Sequence, residues 1–230
     1  MHRFSVLFKK EFRQLFLSFP GFISLTFSPL FLSIFFIVFM GFFSGREADL
    51  SMYFGLYPTL LIMIIPIITL KLFVDDNRYN TGEVLLTLPF SENILVFARF
   101  CAIYLFFTIL ILGTMILPLS LIPLGNFDKG IFLSNVIGIF FSGSASISLC
   151  YFLTVLVSGS IVSWFLSATA LFFLYGSYGG QRLISSFFFS SHLESFSRGL
   201  LNSGDILYFI LITAIFLYSS TRLIFMRRWN

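Results

Sequence analysis

Long uncharged runs separated by short charged breaks dominate the chain. They cover residues 14–45, 50–70, 100–127, 130–181 and 206–221, the last extended by 223–226. A helix needs about 20 residues to cross a hydrocarbon layer ~30 Å thick, so each run holds at least one crossing. The fourth run is too long for one, and its small, turn-prone Ser158-Gly159-Ser160 divides it. The pattern predicts an all-α polytopic membrane protein, a single domain over 1–230. Its six transmembrane helices fall at 22–43, 53–74, 97–123, 131–157, 161–178 and 206–226.

The segments outside the spans are patterned too. On a helical wheel Phe4, Leu7, Phe8, Phe12, Leu15 and Phe16 share one face, with Arg3, Lys9, Lys10 and Arg13 opposite. This predicts an interfacial helix over 1–19, broken at Pro20-Gly21, where the chain turns into the bilayer. A cleaved secretion signal does not fit, because the run behind it far exceeds a 7–15-residue signal core and has no A-x-A site. Residues 75–92 form a cytoplasmic loop. Within it Asn80 and Glu83 make a capping box, Val84 to Leu88 form a short apolar helix, Pro89 ends that helix and Ser91 caps the third span. Val84, Leu85, Leu86 and Leu88 need cover from the interface or another protein. Residues 179–204, with Phe187, Phe188 and Phe189 between polar neighbours, form an external hairpin that is re-entrant or interfacial, and Asp205 caps the sixth span.

Composition supports lipid as the main solvent. Of 230 residues 58% are apolar and 10% charged, with 35 phenylalanines and a mean hydropathy of +0.99. That leaves too little polar surface for a body in water. The net charge of +4 and pI near 9.2 are explained by orientation rather than by nucleic acid. With the first residue in the cytoplasm, ten of the fourteen Lys and Arg lie on that side: Arg3, Lys9, Lys10, Arg13, Lys71, Arg78, Arg99, Arg222, Arg227 and Arg228. Both termini are then cytoplasmic.

Chemistry of its own is not expected. There is no H-E-x-x-H, G-x-S-x-G or P-loop motif in the sequence, and the only histidines are His2 and His192. His192 with Glu194, and Asp75 with Asp76, are too sparse to hold a metal, so no cofactor is expected. Cys101 and Cys150 sit in apolar runs and suggest no disulfide framework. Lys71 and Arg222 lie near span ends, where long side chains snorkel to headgroups. Gly138, Ser142, Ser146 and Cys150 recur every four residues along span four. Small residues at that spacing allow close helix approach, within the chain or at a permease interface, and a substrate-lining stripe is the less favoured reading. A passive six-span body needs an external source of work.

The loop after span two resembles the permeases of type 2 ABC exporters, whose pattern there is E-R-x-x-G-T-x-E-x-L-L-x-x-P-x-S. Arg78, Thr81, Glu83, Leu85, Leu86, Pro89 and Ser91 match it, while Asp76, Asn80 and Gly82 depart. His192 to Gly199, followed by Asp205 to Phe209, is similar to the gliding-motility and nitrous-oxide-reductase-maturation branch, with Asn202 and Gly204 departing. The resemblance implies a permease in a bacterial inner membrane with no catalytic residue. Its partners would be a separate ATP-binding subunit in two copies, a second permease copy or paralogue, membrane lipid and an auxiliary external protein. Arg78, Thr81, Glu83, Leu85, Leu86 and Pro89 inherit the ATPase-coupling role from it. Rivals are a scaffold or regulator that anchors an ATPase without transport and, last, an intramembrane enzyme built on the span-four serines.

Overall fold

The computed structural model describes residues 2–39, 50–78, 92–120, 128–157, 159–176 and 186–229, and every regular element among them is helical. In chain order these are α1 (His2–Phe16), α2 (Phe19–Phe39), α3 (Leu50–Gly55), α4 (Tyr57–Arg78) and α5 (Glu92–Thr114). They are followed by α6 (Ile116–Ser120), α7 (Lys129–Leu156), α8 (Ser160–Tyr175), α9 (Phe189–Ser197) and α10 (Ser203–Trp229). Among the described residues five stretches are long and apolar enough to cross a membrane: Phe19–Val38, Tyr53–Lys71, Glu92–Ser120, Lys129–Leu156 and Ser203–Met226. At 16 residues α8 is apolar but rises only about 24 Å, short of the ~30 Å layer.

The turn from α1 into α2 lies at Leu17 and Ser18, three positions before the expected Pro20-Gly21 break. Ser18 Oγ accepts the Gly21 N–H at 3.0 Å and donates to the Leu15 carbonyl at 2.7 Å, so one hydroxyl caps the start of α2 and ties down the end of α1. Pro20 sits inside the first turn of α2, where its missing N–H breaks no ladder bond. Gly21 is required there, since a Cβ would lie 2.1 Å from the Leu15 carbonyl oxygen.

Proline also explains how the bundle joins at the α5–α6 break. Pro118 has no N–H to offer the Thr114 carbonyl four residues earlier, and the helix breaks at Met115. The freed carbonyl accepts the Tyr53 hydroxyl at 2.6 Å, while Tyr57 Oη lies 2.7 Å from Thr114 Oγ1. Both tyrosines are buried at the matching break between α3 and α4, so the two interruptions lock together.

At the centre stands α7, capped by Asp128, whose Oδ1 accepts the Gly130 and Ile131 N–H groups. It packs against α4, α5, α8, α9 and α10. Gly143 makes the α5 contact possible, because a Cβ there would fall 2.4 Å from the Phe107 ring. The start of α10 differs from expectation: Asn202 Oδ1 accepts the Gly204 N–H at 3.2 Å and caps it, leaving Asp205 for another partner.

Candidate functional site

Besides the Tyr53–Tyr57–Thr114 lock, polar groups among the described residues gather in a seam along α7, a clasp between α9 and α10, and a charged joint between α1 and α5. Hydroxyls buried in an apolar helix return their protons to carbonyls one turn back, which satisfies them without widening the helix. Ser142 does so to Ile139, Ser146 to Ser142 and Thr154 to Cys150. Ser146 Oγ also lies 2.8 Å from Tyr175 Oη at the end of α8, and Cys150 lies beside Ser167 of the same helix. Gly138 faces Phe196 of α9, where a Cβ would come within 2.8 Å of the ring. The four small residues thus meet α8 and α9 of their own chain. Ser142 additionally borders a cleft of about 180 Å³ between α3, α4, α7 and α9, with Tyr57, Asn135, Ser190, Glu194 and Ser197 as its polar lining. That volume matches about six waters at ~30 Å³ each.

Next to this cleft, α9 stands on the end of α8. Phe189 packs edge-on to Tyr175 at 5.3 Å between centroids, and Ser190 Oγ donates to the Gly176 carbonyl at 3.1 Å. His192 then fastens α9 to α10. Its Nδ1 lies 2.6 Å from Asp205 Oδ1, its Nε2 lies 3.0 Å from the Ser186 carbonyl, and its ring stacks on Tyr208 at 3.8 Å. Both nitrogens face acceptors, so only a ring carrying both protons donates to each at once. Tyr208 Oη completes the clasp by donating to the Phe187 carbonyl at 2.6 Å.

At the opposite end of the bundle, α1 buries Leu7, Glu11, Leu15 and the turn residue Ser18. Glu11 is 1% exposed and meets Arg99 of α5, itself 3% exposed, with Arg99 Nε 3.3 Å from Oε1. Lys10 Nζ approaches the same oxygen at 3.4 Å. Phe4, Phe8, Phe12 and Phe16 stack in a column at 6.0–6.2 Å on a less buried face of α1. The joint braces α5 two turns from its start at Glu92; residues 75–78 of the expected 75–92 loop belong to α4 and Glu92 to α5. Of the residues assigned to ATPase coupling, Arg78 ends α4, and its side chain lies outside the described residues together with Thr81, Glu83, Leu85, Leu86 and Pro89.

Residues 11–224 are matched by a family model described as ABC-2 family transporter protein. The chain belongs to the ABC-2 transporter family. No curated protein and no solved structure matches it. As an ABC-2 permease it is a membrane transport component of an ABC transporter, a multi-pass membrane protein whose family works with an ABC ATP-binding subunit. No group of three or more His, Cys, Asp or Glu able to hold a metal occurs among the described residues.

Two parts of this ABC-2 permease go beyond the sequence reading. Glu11 and Arg99 were legible in principle: Glu11 occupies the position between Leu7 and Leu15 at spacing four, and Arg99 is a single cation with apolar residues on both sides. A lone acid on an apolar stripe and a lone base in an apolar run are natural partners. The His192–Asp205 contact carries no comparable signal, because it depends on how residues 193–204 fold back.

Proposed function

We propose that this ABC-2 permease is the transmembrane half of an ATP-driven exporter in a bacterial inner membrane, of the gliding-motility and nitrous-oxide-reductase-maturation type. It works as a pair, with itself or a paralogue, on two copies of a separate ATPase. Both termini are cytoplasmic, and α8 with α9 stacked on it makes up the fifth of six crossings. The segment around Arg78, Thr81, Glu83, Leu85, Leu86 and Pro89 rests on the ATPase, and closure of the ATPase dimer pushes it. The Gly138, Ser142, Ser146 and Cys150 seam keeps α7, α8 and α9 moving as one body.

The observation that carries this reading is the family match across residues 11–224, which spans the loop as well as the helices on both sides of it. The Glu11–Arg99 joint adds a mechanical argument. It ties α1 to the first part of α5, so force delivered at the loop reaches α1 and α5 together rather than bending one helix.

The test is purification in mild detergent together with the products of neighbouring genes. A P-loop ATPase should co-purify, and Glu83→Ala should abolish transport-linked ATP turnover in liposomes while leaving the permease folded. Absence of such an ATPase, or full transport by Glu83→Ala, defeats the proposal. Stable binding of an ATPase with no cargo-dependent turnover would instead indicate an anchoring scaffold.

A further inference from the structure

A groove of about 470 Å³ opens sideways between the first turn of α1, the start of α5 and the second half of α10. Phe4, Phe97 and Leu217 line its apolar floor, and Asn93, Tyr218 and Thr221 stand along its polar edge. Phe97 is 54% and Tyr218 60% exposed, so the groove faces outward from the bundle. At the polar edge Arg222 folds back over Tyr218. Its guanidinium carbon lies 5.2 Å from the ring centroid, and Nε and Nη2 donate to Tyr218 Oη at 3.0 and 2.7 Å. A guanidinium has five N–H donors, and this arrangement uses two. No carboxylate among the described residues pairs with Arg222. The exposed cations Lys9, Lys10 and Arg13 of α1 lie at the same end of the bundle.

We propose that this groove holds one anionic phospholipid, its acyl chain along Phe4, Phe97 and Leu217 and its phosphate on Arg222. The volume lies within the range of single small-molecule sites, ~300–1,000 Å³, and the lining is what an acyl chain meets well. An apolar slot beside a guanidinium that no described carboxylate neutralises complements a molecule with an oily tail and one negative head, and basic pockets between membrane helices recognise such heads. The site needs neither ATPase nor cargo, so it stands or falls apart from the export proposal. Only the leaflet, cytoplasmic under the orientation proposed above, depends on that reading.

The test is native mass spectrometry of the purified full chain after equilibration with equal amounts of dioleoylphosphatidylglycerol and dioleoylphosphatidylcholine. The wild type should retain one phosphatidylglycerol with about fivefold preference, the effect of one basic group at an anionic headgroup. Arg222→Gln should equalise the two lipids, and Leu217→Trp, which fills the floor, should lower retention of both. Arg198→Gln, at the far end of the bundle, should behave as wild type. Equal retention by the wild type, or an undiminished preference in Arg222→Gln, overturns the proposal. So does a chain dimer that Leu217→Trp dissolves, since the groove would then be an interface between copies. If Arg222→Gln does not fold, the wild-type preference and the Leu217→Trp loss decide the matter together.

Discussion

Glu11 puts a carboxylate where an amphipathic helix would ordinarily place leucine, and its second oxygen, Oε2, has no hydrogen-bond partner among the described residues. Removing one member of a buried ion pair leaves the other in a poor environment, typically at a cost of about 3–5 kcal/mol. Glu11→Ala should therefore lower the melting temperature in detergent sharply, and Arg99→Met combined with Glu11→Leu should recover much of the loss by replacing the pair with apolar contacts. Equal destabilisation by the double variant would show that the pair is not the source. Tyr53 gives a second residue-scale case. Tyr53→Phe withdraws the donor that satisfies the Thr114 carbonyl freed by Pro118, and an unsatisfied buried acceptor costs roughly 1–3 kcal/mol. Periodicity showed that α1 is amphipathic, but it weighs Glu11 as a polar residue and cannot tell that its partner lies 88 positions later. Legibility at this scale ends where two distant residues must be paired.

Helices were the most readable elements, because lipid leaves the backbone little choice but to bond within each segment. The breaks were less readable. Pro20-Gly21 marks the right neighbourhood, yet the structure turns at Leu17 and Ser18, since proline is at ease in a first helical turn and serine supplies the cap. Asp205 suits a helix start by charge, but Asn202 holds the cap and His192 takes the carboxylate. Glycines along the helices separate by what faces them. Gly143→Ala should destabilise by about 1–3 kcal/mol, the usual penalty for overpacking, because the new methyl meets the Phe107 ring. Gly113→Ala, with nothing within 4 Å, should stabilise α5 by up to about 1 kcal/mol through helix propensity. Thermal shift of the two variants side by side checks both signs.

For the molecule as a whole, six crossings followed from apolar length and the break at Ser158-Gly159-Ser160, whereas the described residues hold five helices of full length and one short one. The reason is physical: a run of uncharged residues does not reveal where the backbone leaves the helix, and α8 stops at Tyr175 under the foot of α9. The coupling assignment was legible only through resemblance, and beyond the backbone of Arg78 its residues lie outside the described ones. The orientation expected from charge asymmetry is open to direct measurement. In a Cys101→Ser background, Lys10→Cys should react with an impermeant maleimide only from the cytoplasmic side and Lys129→Cys only from the exterior. The reverse would invert the whole assignment.

The shortness of α8 has a consequence for the surrounding membrane. Where a 16-residue rod meets a layer some 6 Å thicker, the surplus left uncovered by α9, which sits on its end, is absorbed by thinning of the bilayer, at a fraction of a kcal/mol per Å. Reconstituted into nanodiscs, the permease should melt higher in 14-carbon than in 18-carbon phospholipid. The flank that carries Ser190 and His192 would then be the place where the adjacent monolayer is drawn inward.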